Sequence, residues 1–329
     1  MGGLRGGAPE RTMTSFELPR LDGIDDAAVA RFRRDGFLIV ERILDDGLIA
    51  ALRDRFPLLF AGRFDTGVYP DEWYWREGMS LPDVTRHMAN AWKADLTVAR
   101  LVLSESIGAA GARLAGWSGA RLGQDTIWWK APQTKPISHH QDTSFTDFLE
   151  PQAMVTCWVT LDDTHREAGT LEYVPGSHLW PLTRIPDEFH GQQDYRAQMR
   201  AAGRAAGVEI PEPVLIDVPA GSCVFHAGEI WHGSGPNTTA DRMRRSIGIH
   251  LLSEDVRFSD RPGGYIYRRY QRTDDPHLDE SYFPVLWSRS GRRTGWIDGY
   301  CATGRRSARP AAPATAGVPA STAAPAAGS

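Results

Sequence analysis

Residues 214–237 read VLIDVPAGSCVFHAGEIWHGSGPN. Two short apolar runs, at 214–218 and 222–226, are separated by Pro219, Ala220 and Gly221, a pattern typical of two strands joined by a turn. Further runs of this kind, bounded by Gly, Pro and Asp, occupy 126–130, 154–161, 170–174 and 246–252. Many short strands at such intervals predict an antiparallel sandwich or barrel from about residue 119 onward.

The first third of the chain has a different, helical pattern. Asp25 is a candidate N-cap for a helix over 27–34, a small strand is expected at 37–40, and helical patterns follow at 46–56, 83–94 and 95–115. A further helix is expected at 194–206, inside a polar insertion between two strands.

These patterns divide the chain into three parts. We expect a flexible leader at 1–20, a single domain at 21–305 and a disordered Pro/Ala-rich tail at 306–329. Within the domain, 21–118 should be mainly helical, about 119–256 should form the core of strands, and 257–305 should be a C-terminal extension. That extension is expected to form either a lid over the site or a packing layer on the barrel.

Charge and cysteine content exclude several classes of function. The 37 Lys and Arg residues are balanced by 41 Asp and Glu residues, so the net charge of −4 provides no field that attracts nucleic acid or anionic lipid. No apolar run is long enough to span a membrane. The three widely spaced cysteines indicate neither a disulfide framework nor a thiolate zinc site, which fits a reducing cytoplasm. The expected partner is a small-molecule substrate, and the oligomeric state is left open.

The most informative segment for chemistry is His140-Gln141-Asp142. On an extended chain, side chains two residues apart point to the same face, so this imidazole and this carboxylate can bind one metal. The pattern is weak alone, because roughly one such triplet is expected by chance in a chain of this composition. A second triplet, His277-Leu278-Asp279, lies in a polar stretch and is interpreted as surface.

His232 and Arg244 distinguish the first triplet from the second. His232 directly follows a predicted strand, and two His with one carboxylate form the facial triad favoured by non-haem Fe(II) oxygenases, although zinc is possible on ligand type alone. Arg244 begins the next predicted strand, and a buried Arg needs a carboxylate or phosphate partner. A dicarboxylate co-substrate that chelates the metal at one end and pairs with Arg244 at the other meets that need.

Several ordered motifs resemble the phytanoyl-CoA dioxygenase family of Fe(II)/2-oxoglutarate oxygenases. They are the His140-Gln141-Asp142 segment, the stretches at 167–171 and 175–178, the HGSGPN loop at 232–237, and Arg244. The DGFLIV opening at 35–40 is also similar, so the resemblance covers roughly residues 30 to 255. It implies a mainly β fold with flanking helices around a double-stranded β-helix (jelly-roll, cupin-like) core.

The resemblance also implies roles for individual residues. His140, Asp142 and His232 would bind Fe(II) and form the catalytic centre. Arg244 would hold the distal carboxylate of 2-oxoglutarate, with O2 as the second co-substrate. Because related halogenases replace the carboxylate ligand with a small residue and this chain retains Asp142, halogenation is not expected.

Three further residues match positions close to the co-substrate in that family. Trp158 matches the Trp that lines the co-substrate site, with packing on a core strand as the alternative. Thr126 and Ser234 match positions near 2-oxoglutarate less securely.

Other polar residues are interpreted as structural. His139 should point to the opposite face of its strand from His140. His226 and His250 lie on apolar strands and are expected to be core histidines, and Cys157 and Cys223 to be small core hydrophobes.

The substrate class rests on weaker signals. Aromatic residues that could line a pocket or pack in the core are Tyr69, Trp73, Tyr74, Trp75, Trp92, Trp128, Trp129, Phe145 and Phe148. No basic cluster suited to coenzyme A phosphates is evident, so a small polar metabolite or natural-product intermediate is expected, with hydroxylation, desaturation or oxidative cyclisation as the outcome. Two alternatives stay open: a cupin-like metal-dependent isomerase or hydrolase, which has no use for Arg244, and a non-catalytic ligand-binding barrel.

Overall fold

A computed structural model describes residues 21, 23–183, 189–190 and 193–303. The predicted leader at 1–20 and tail at 306–329 lie outside the described residues. Fourteen strands are found within the described ranges: β1 Phe37–Val40, β2 Glu72–Trp73, β3 Arg86–Ala89, β4 Gly119–Lys130, β5 Ile137–His140, β6 Leu149–Glu150, β7 Met154–Thr160, β8 Leu171–Tyr173, β9 Val214–Leu215, β10 Cys223–Ala227, β11 His232–Ser234, β12 Arg244–Ser253, β13 Arg257–Phe258 and β14 Val285–Ser288.

Seven α-helices accompany these strands in the described part of the chain. They are α1 Asp26–Asp35, α2 Asp46–Phe60, α3 Leu96–Val102, α4 Glu105–Ala115, α5 Ala197–Ala205, α6 Tyr265–Arg268 and α7 Ile297–Thr303. No helix among the described residues is long and apolar enough to cross a membrane.

Two antiparallel sheets form the centre of the domain. The larger has the strand order β1-β10-β7-β12-β4-β3-β2, with β14 also paired to β4, and the smaller has the order β5-β11-β8-β9. β13 and β6 form a separate pair. This arrangement confirms the predicted mainly β jelly-roll core with flanking helices.

Strand alternation decides which side chains of the larger sheet reach the site. On β7, Val155, Cys157 and Val159 belong to the large apolar core that also contains residues of α1 to α4, whereas Thr156 and Trp158 face the other way. Both faces of these strands are therefore buried, one against helices and one around a cavity. The expectation that Cys157 and Cys223 are core hydrophobes is confirmed, because both are fully buried.

Most predicted elements are present, with shifted ends. Asp25 caps α1 by accepting a hydrogen bond from the backbone N–H of Ala28 at 2.7 Å, and β1 has its predicted limits. The pattern at 95–115 forms two helices instead of one, because Ser104 has extended backbone geometry between the end of α3 at Val102 and the start of α4 at Glu105.

The helix predicted at 83–94 is wrong. Residues Arg86–Ala89 form β3, which pairs with β4, and a short 3-10 turn at Ala91–Lys93 follows. Asn90 between them has a positive φ of 56°, which an α-helix does not allow. Pairing with the free edge of β4 therefore overrides the local helical preference.

The C-terminal extension packs against the domain and also reaches the site. β14 adds to β4, and the Tyr300 hydroxyl of α7 donates hydrogen bonds to the carbonyls of Trp92 and Lys93 at 3.1 Å. Gly264, Tyr265, Ile266 and Tyr267 line a cavity beside the metal-ligand triad. The packing layer is therefore present, and residues 264–267 also line the cavity, whereas a lid over the site stays a prediction.

Candidate metal centre

The three predicted ligand residues converge between the two sheets. His140 ends β5, Asp142 follows it directly, and His232 begins β11, where it is the register partner of His140. The Nε2 atoms of His140 and His232 lie 3.4 and 3.6 Å from Oδ1 of Asp142, and the potential ligand atoms are all within 4.8 Å of one another. All three residues are buried. The arrangement is that of a two-His, one-carboxylate metal site.

Backbone carbonyls orient both imidazoles. Nδ1 of His140 lies 2.8 Å from the carbonyl oxygen of Ser138, and Nδ1 of His232 lies 3.1 Å from that of Ile230. A carbonyl can only accept, so Nδ1 carries the proton and the Nε2 lone pair is directed toward Asp142. Burial and the neighbouring His140 lower the pKa of His232 well below its usual value, which favours the neutral form that binds metals.

A second set of side chains holds the other carboxylate oxygen of Asp142. Thr156 Oγ1 donates to Oδ2 at 2.8 Å, and His226 Nε2 lies 3.2 Å from the same atom. His250 Nδ1 is 2.9 Å from Thr156 Oγ1 and 3.5 Å from Oδ2. Burial tends to raise the pKa of Asp142, but the surrounding imidazoles outweigh it and hold this pKa well below its usual value.

The expectation that His226 and His250 are ordinary core histidines therefore needs correction. Both are inward-facing residues of the larger sheet, and both contact the Asp142 carboxylate or its Thr156 partner. The alternation along β10 and β12 contained the signal, because each His occupies the strand face opposite the apolar core residues.

His139 lies outside the triad, as predicted from its strand position. Its Nε2 is 2.9 Å from Oε1 of Glu172, and Arg196 forms a two-pronged ion pair with the same carboxylate. Burial tends to raise the pKa of Glu172, but hydrogen bonds from His139 and Arg196 outweigh it and lower this pKa to about 2. These contacts fasten the residue just before α5 to the sheet that carries the metal ligands.

Arg244 is a buried cation that pairs with no acidic residue in the described part of the chain. Its side chain donates to Ser246 Oγ at 2.9 Å and lies 5.6 Å from the Trp158 ring centroid. Within the described residues it forms no ion pair, and its Nε has no hydrogen-bond partner. Burial lowers its pKa to about 10, which leaves the guanidinium charged at neutral pH. Such a group can bind an external carboxylate.

Sequence reasoning missed Lys130. This residue is fully buried opposite Arg244 in the β4–β12 register, and its Nζ donates to Ser234 Oγ at 2.8 Å and to the Gly235 carbonyl at 2.5 Å. Burial lowers the pKa of Lys130 well below its usual value. A Lys at the end of an apolar strand was the only signal in the sequence.

Two adjoining cavities surround these groups. The inner cavity, about 60 Å³, is lined by the triad together with Trp158, Ser234, Arg244 and others. The outer cavity, about 420 Å³, shares His140, Asp142, Trp128, Phe189 and His250 with the inner one. The other residues that line the outer cavity are Glu72, His87, Gln124, Thr126, Phe145, Thr146, Phe148, Met154, Gly264, Tyr265, Ile266 and Tyr267.

The three residues predicted to lie near the co-substrate line different cavities. Trp158 and Ser234 line the inner cavity, whereas Thr126 lines the outer one and accepts a hydrogen bond from Gln124 Nε2 at 3.2 Å. Of the aromatic residues named from the sequence, Trp128, Phe145 and Phe148 line the outer cavity. Trp92 is fully buried in the core.

The chain matches the profile of the Phytanoyl-CoA dioxygenase (PhyH) family over residues 32–246. It belongs to this family. The match includes all three triad residues and Arg244 and agrees with the resemblance stated from the motifs.

Individual relatives share parts of this architecture. Human "Phytanoyl-CoA dioxygenase, peroxisomal" is 28% identical over 133 residues, which are 38% of this chain and 36% of that protein. The aligned segment thus spans about a third of that relative's length.

Two solved structures match more fully. The non-haem alpha-ketoglutarate-dependent carbocyclase SnoK from nogalamycin biosynthesis is 27% identical with a TM-score of 0.62, and the match covers 80% of this chain and 97% of that one. The epimerase SnoN, solved with Fe3+, alpha ketoglutarate and nogalamycin RO, is 27% identical with a TM-score of 0.61 and coverages of 80% and 98%.

Proposed function

We propose that this chain is an Fe(II)- and 2-oxoglutarate-dependent oxygenase that oxidises a small metabolite or natural-product intermediate. The observation that carries the proposal is the pairing of two features in one inner cavity. A His-Asp-His triad offers three converging ligand atoms, and a buried Arg244 without an acidic partner in the described residues faces the same cavity.

The residues of the inner cavity fit both Fe(II) and 2-oxoglutarate. Two neutral imidazoles and one carboxylate suit Fe(II) and leave coordination positions open for a chelating 2-oxo acid. The Arg244 guanidinium has an Nε with no hydrogen-bond partner among the described residues, and its fork geometry matches a carboxylate. When bound, Fe(II) with 2-oxoglutarate would supply the O2 activation needed to oxidise an unreactive C–H bond, with release of succinate and CO2.

The chain's own residues orient these groups and exclude water. His140, His232 and Asp142 are each fixed by hydrogen bonds on the side away from the metal. Lys130 holds Ser234 beside Arg244, so the Ser234 hydroxyl proton is free to point to a bound carboxylate. Trp158 packs against the Arg244 guanidinium and walls the inner cavity.

The proposed cofactors are specific, but several reaction outcomes are compatible with them. Hydroxylation is the default, and desaturation or oxidative cyclisation needs only a different substrate pose against the same ligands. Solved relatives named as an epimerase and a carbocyclase support this breadth. Because Asp142 occupies the carboxylate position, halogenation is not proposed.

The test is oxygen-dependent succinate formation by the purified full chain. With Fe(II), 2-oxoglutarate and ascorbate in air, we expect slow succinate release even without the true substrate. The signal should disappear on chelation or when Zn(II) replaces Fe(II). A chain that binds Fe(II) but never consumes 2-oxoglutarate would contradict the proposal and favour a metal-dependent isomerase or hydrolase.

A further inference from the structure

The outer cavity carries a carboxylate at its wall that the metal chemistry does not use. Glu72 belongs to β2, lines this cavity and is 37% exposed in its side chain, so a ligand can reach it. No Lys or Arg is among the described residues that line the cavity. Among these described lining residues, the acidic side chains therefore have no Lys or Arg beside them in the cavity wall.

Local contacts keep the Glu72 carboxylate ionised and in place. Tyr265 donates its hydroxyl to Oε1 at 3.2 Å, and His87 Nε2 lies 3.7 Å from Oε2. The proximity of His87 is the main cause that lowers the pKa of Glu72. The charge of Arg269 also lowers this pKa, although Arg269 donates its own hydrogen bonds to the carbonyls of Tyr265 and Asp71 and lies 3.9 Å from Asp71 Oδ1.

Aromatic rings connect Glu72 to the triad. The His87 ring lies 4.9 Å from that of Trp128, and Trp128 lines both cavities. Phe145, Phe148 and Phe189 form other parts of the outer wall. Such faces favour a planar ring, and their negative centres also attract a cation.

The charges of the inner cavity cancel if the proposed function is correct, and the present inference rests on it. Fe(II) and the Arg244 cation would balance the Asp142 carboxylate and dianionic 2-oxoglutarate. Among the described residues that line the two cavities, Glu72 is then the one carboxylate outside the metal site, and Arg269, whose charge acts on Glu72, lies outside that lining.

We propose that the outer cavity binds a ring-bearing cation, with a protonated amine of the substrate against Glu72 and its ring along Trp128 toward the triad. The volume of about 420 Å³ accommodates a small ring system. An anionic substrate such as an acyl-CoA would meet Glu72 and find no basic residue among the described lining residues. The substrate class thus differs from the one in the family's name.

Three probes that share one ring test the charge preference directly. They are 1-naphthylmethylamine, which is a cation at neutral pH, 1-naphthalenemethanol, which is neutral, and 1-naphthoate, which is an anion. Their binding to the full chain is measured by calorimetry without oxygen, in the presence of Fe(II) and 2-oxoglutarate. We expect the amine to bind roughly fivefold or more tightly than the alcohol, and the anion to bind weakest.

The Glu72→Gln variant assigns that preference to one residue. It keeps the shape and an acceptor for Tyr265 but removes the charge, so the amine and the alcohol should bind within about twofold of each other. Glu150→Gln, at an exposed carboxylate paired with Arg257, should retain the preference. Unchanged binding of the alcohol to Glu72→Gln shows that the cavity is intact.

Two results would overturn the inference. One is equal binding of the amine and the alcohol to the wild-type chain, which needs no variant, and the other is a preference that survives in Glu72→Gln. The visible charge-transfer band of the Fe(II)–2-oxoglutarate complex is recorded in the same samples. If the band forms without amine preference, only the cation inference fails, whereas a missing band counts against the proposed function itself.

Discussion

The inner and outer cavities are built in different ways, although they share a wall. Apart from Phe189, whose ring lies 4.9 Å from that of His140, the inner cavity is lined by residues of strands or directly beside them, and hydrogen bonds fix its polar atoms. The outer cavity takes its walls from segments far apart in the chain, including the turn before α6 and the exposed Tyr265. The metal-ligand residues therefore lie on or directly beside strands, whereas the outer cavity combines strand residues with loop segments.

Removing a triad ligand should have the largest effect and tests whether the inner cavity is catalytic. His140→Ala should reduce succinate formation by about 100-fold or more, because the metal loses a ligand. The matched control is His277→Ala, which alters the second His-x-Asp triplet at an 81% exposed side chain and should leave the rate unchanged. Normal turnover in His140→Ala would contradict a catalytic role for the inner cavity.

Neighbouring arginines on β12 distinguish the inner face from the outer face of one strand. Arg244→Ala should raise the KM for 2-oxoglutarate by roughly 10- to 100-fold, because the distal carboxylate loses a charge-assisted partner. Arg245 points away and pairs with Asp162 at 2.7 Å, so Arg245→Ala should leave this KM unchanged. Steady-state kinetics at varied 2-oxoglutarate makes the comparison, and equal effects of both changes would contradict it.

Removing a hydrogen bond to the Asp142 carboxylate should affect activity less than removing a metal ligand or Arg244. Thr156→Val removes the hydroxyl that donates to Asp142 Oδ2, so the Fe(II) concentration for half-maximal activity should rise about tenfold. Thr160→Val, an inward-facing control on the same strand whose hydroxyl contacts the Pro219 carbonyl, should not change it. An unchanged Fe(II) requirement in Thr156→Val would show that the second set of contacts does not tune the metal.

The smallest effect on catalysis is expected at Glu172, behind the metal-bearing sheet. Because its folded pKa of about 2 lies below the ordinary value of 4.5, its charge stabilises the fold above pH 4.5, and this contribution is lost as the pH falls toward 2. Glu172→Gln should therefore be less stable than wild type at pH 7, with the difference disappearing toward pH 2. Denaturant unfolding at several pH values measures it, and a pH-independent difference would refute the ion-pair explanation.

The sequence predicted the inner cavity better than the outer one, for physical reasons. Strand period and motif order were sufficient to bring His140, Asp142 and His232 together, because sheet register places them with little freedom. They were not sufficient for Glu72 and His87, which meet because β2 pairs with β3, a strand that lies where a helix was predicted. Alternation places His226 on the strand face opposite the apolar core, but it does not show that Asp142 lies across from it.

The central claim is that the triad and Arg244 together bind Fe(II) and 2-oxoglutarate in the inner cavity. The most direct measurement adds 2-oxoglutarate to the Fe(II)-loaded full chain without oxygen and records the visible spectrum. We predict a weak charge-transfer band that saturates with 2-oxoglutarate and does not form with succinate, which lacks the chelating oxo group. Bound Fe(II) with no such band, or an identical spectrum with succinate, would contradict the claim.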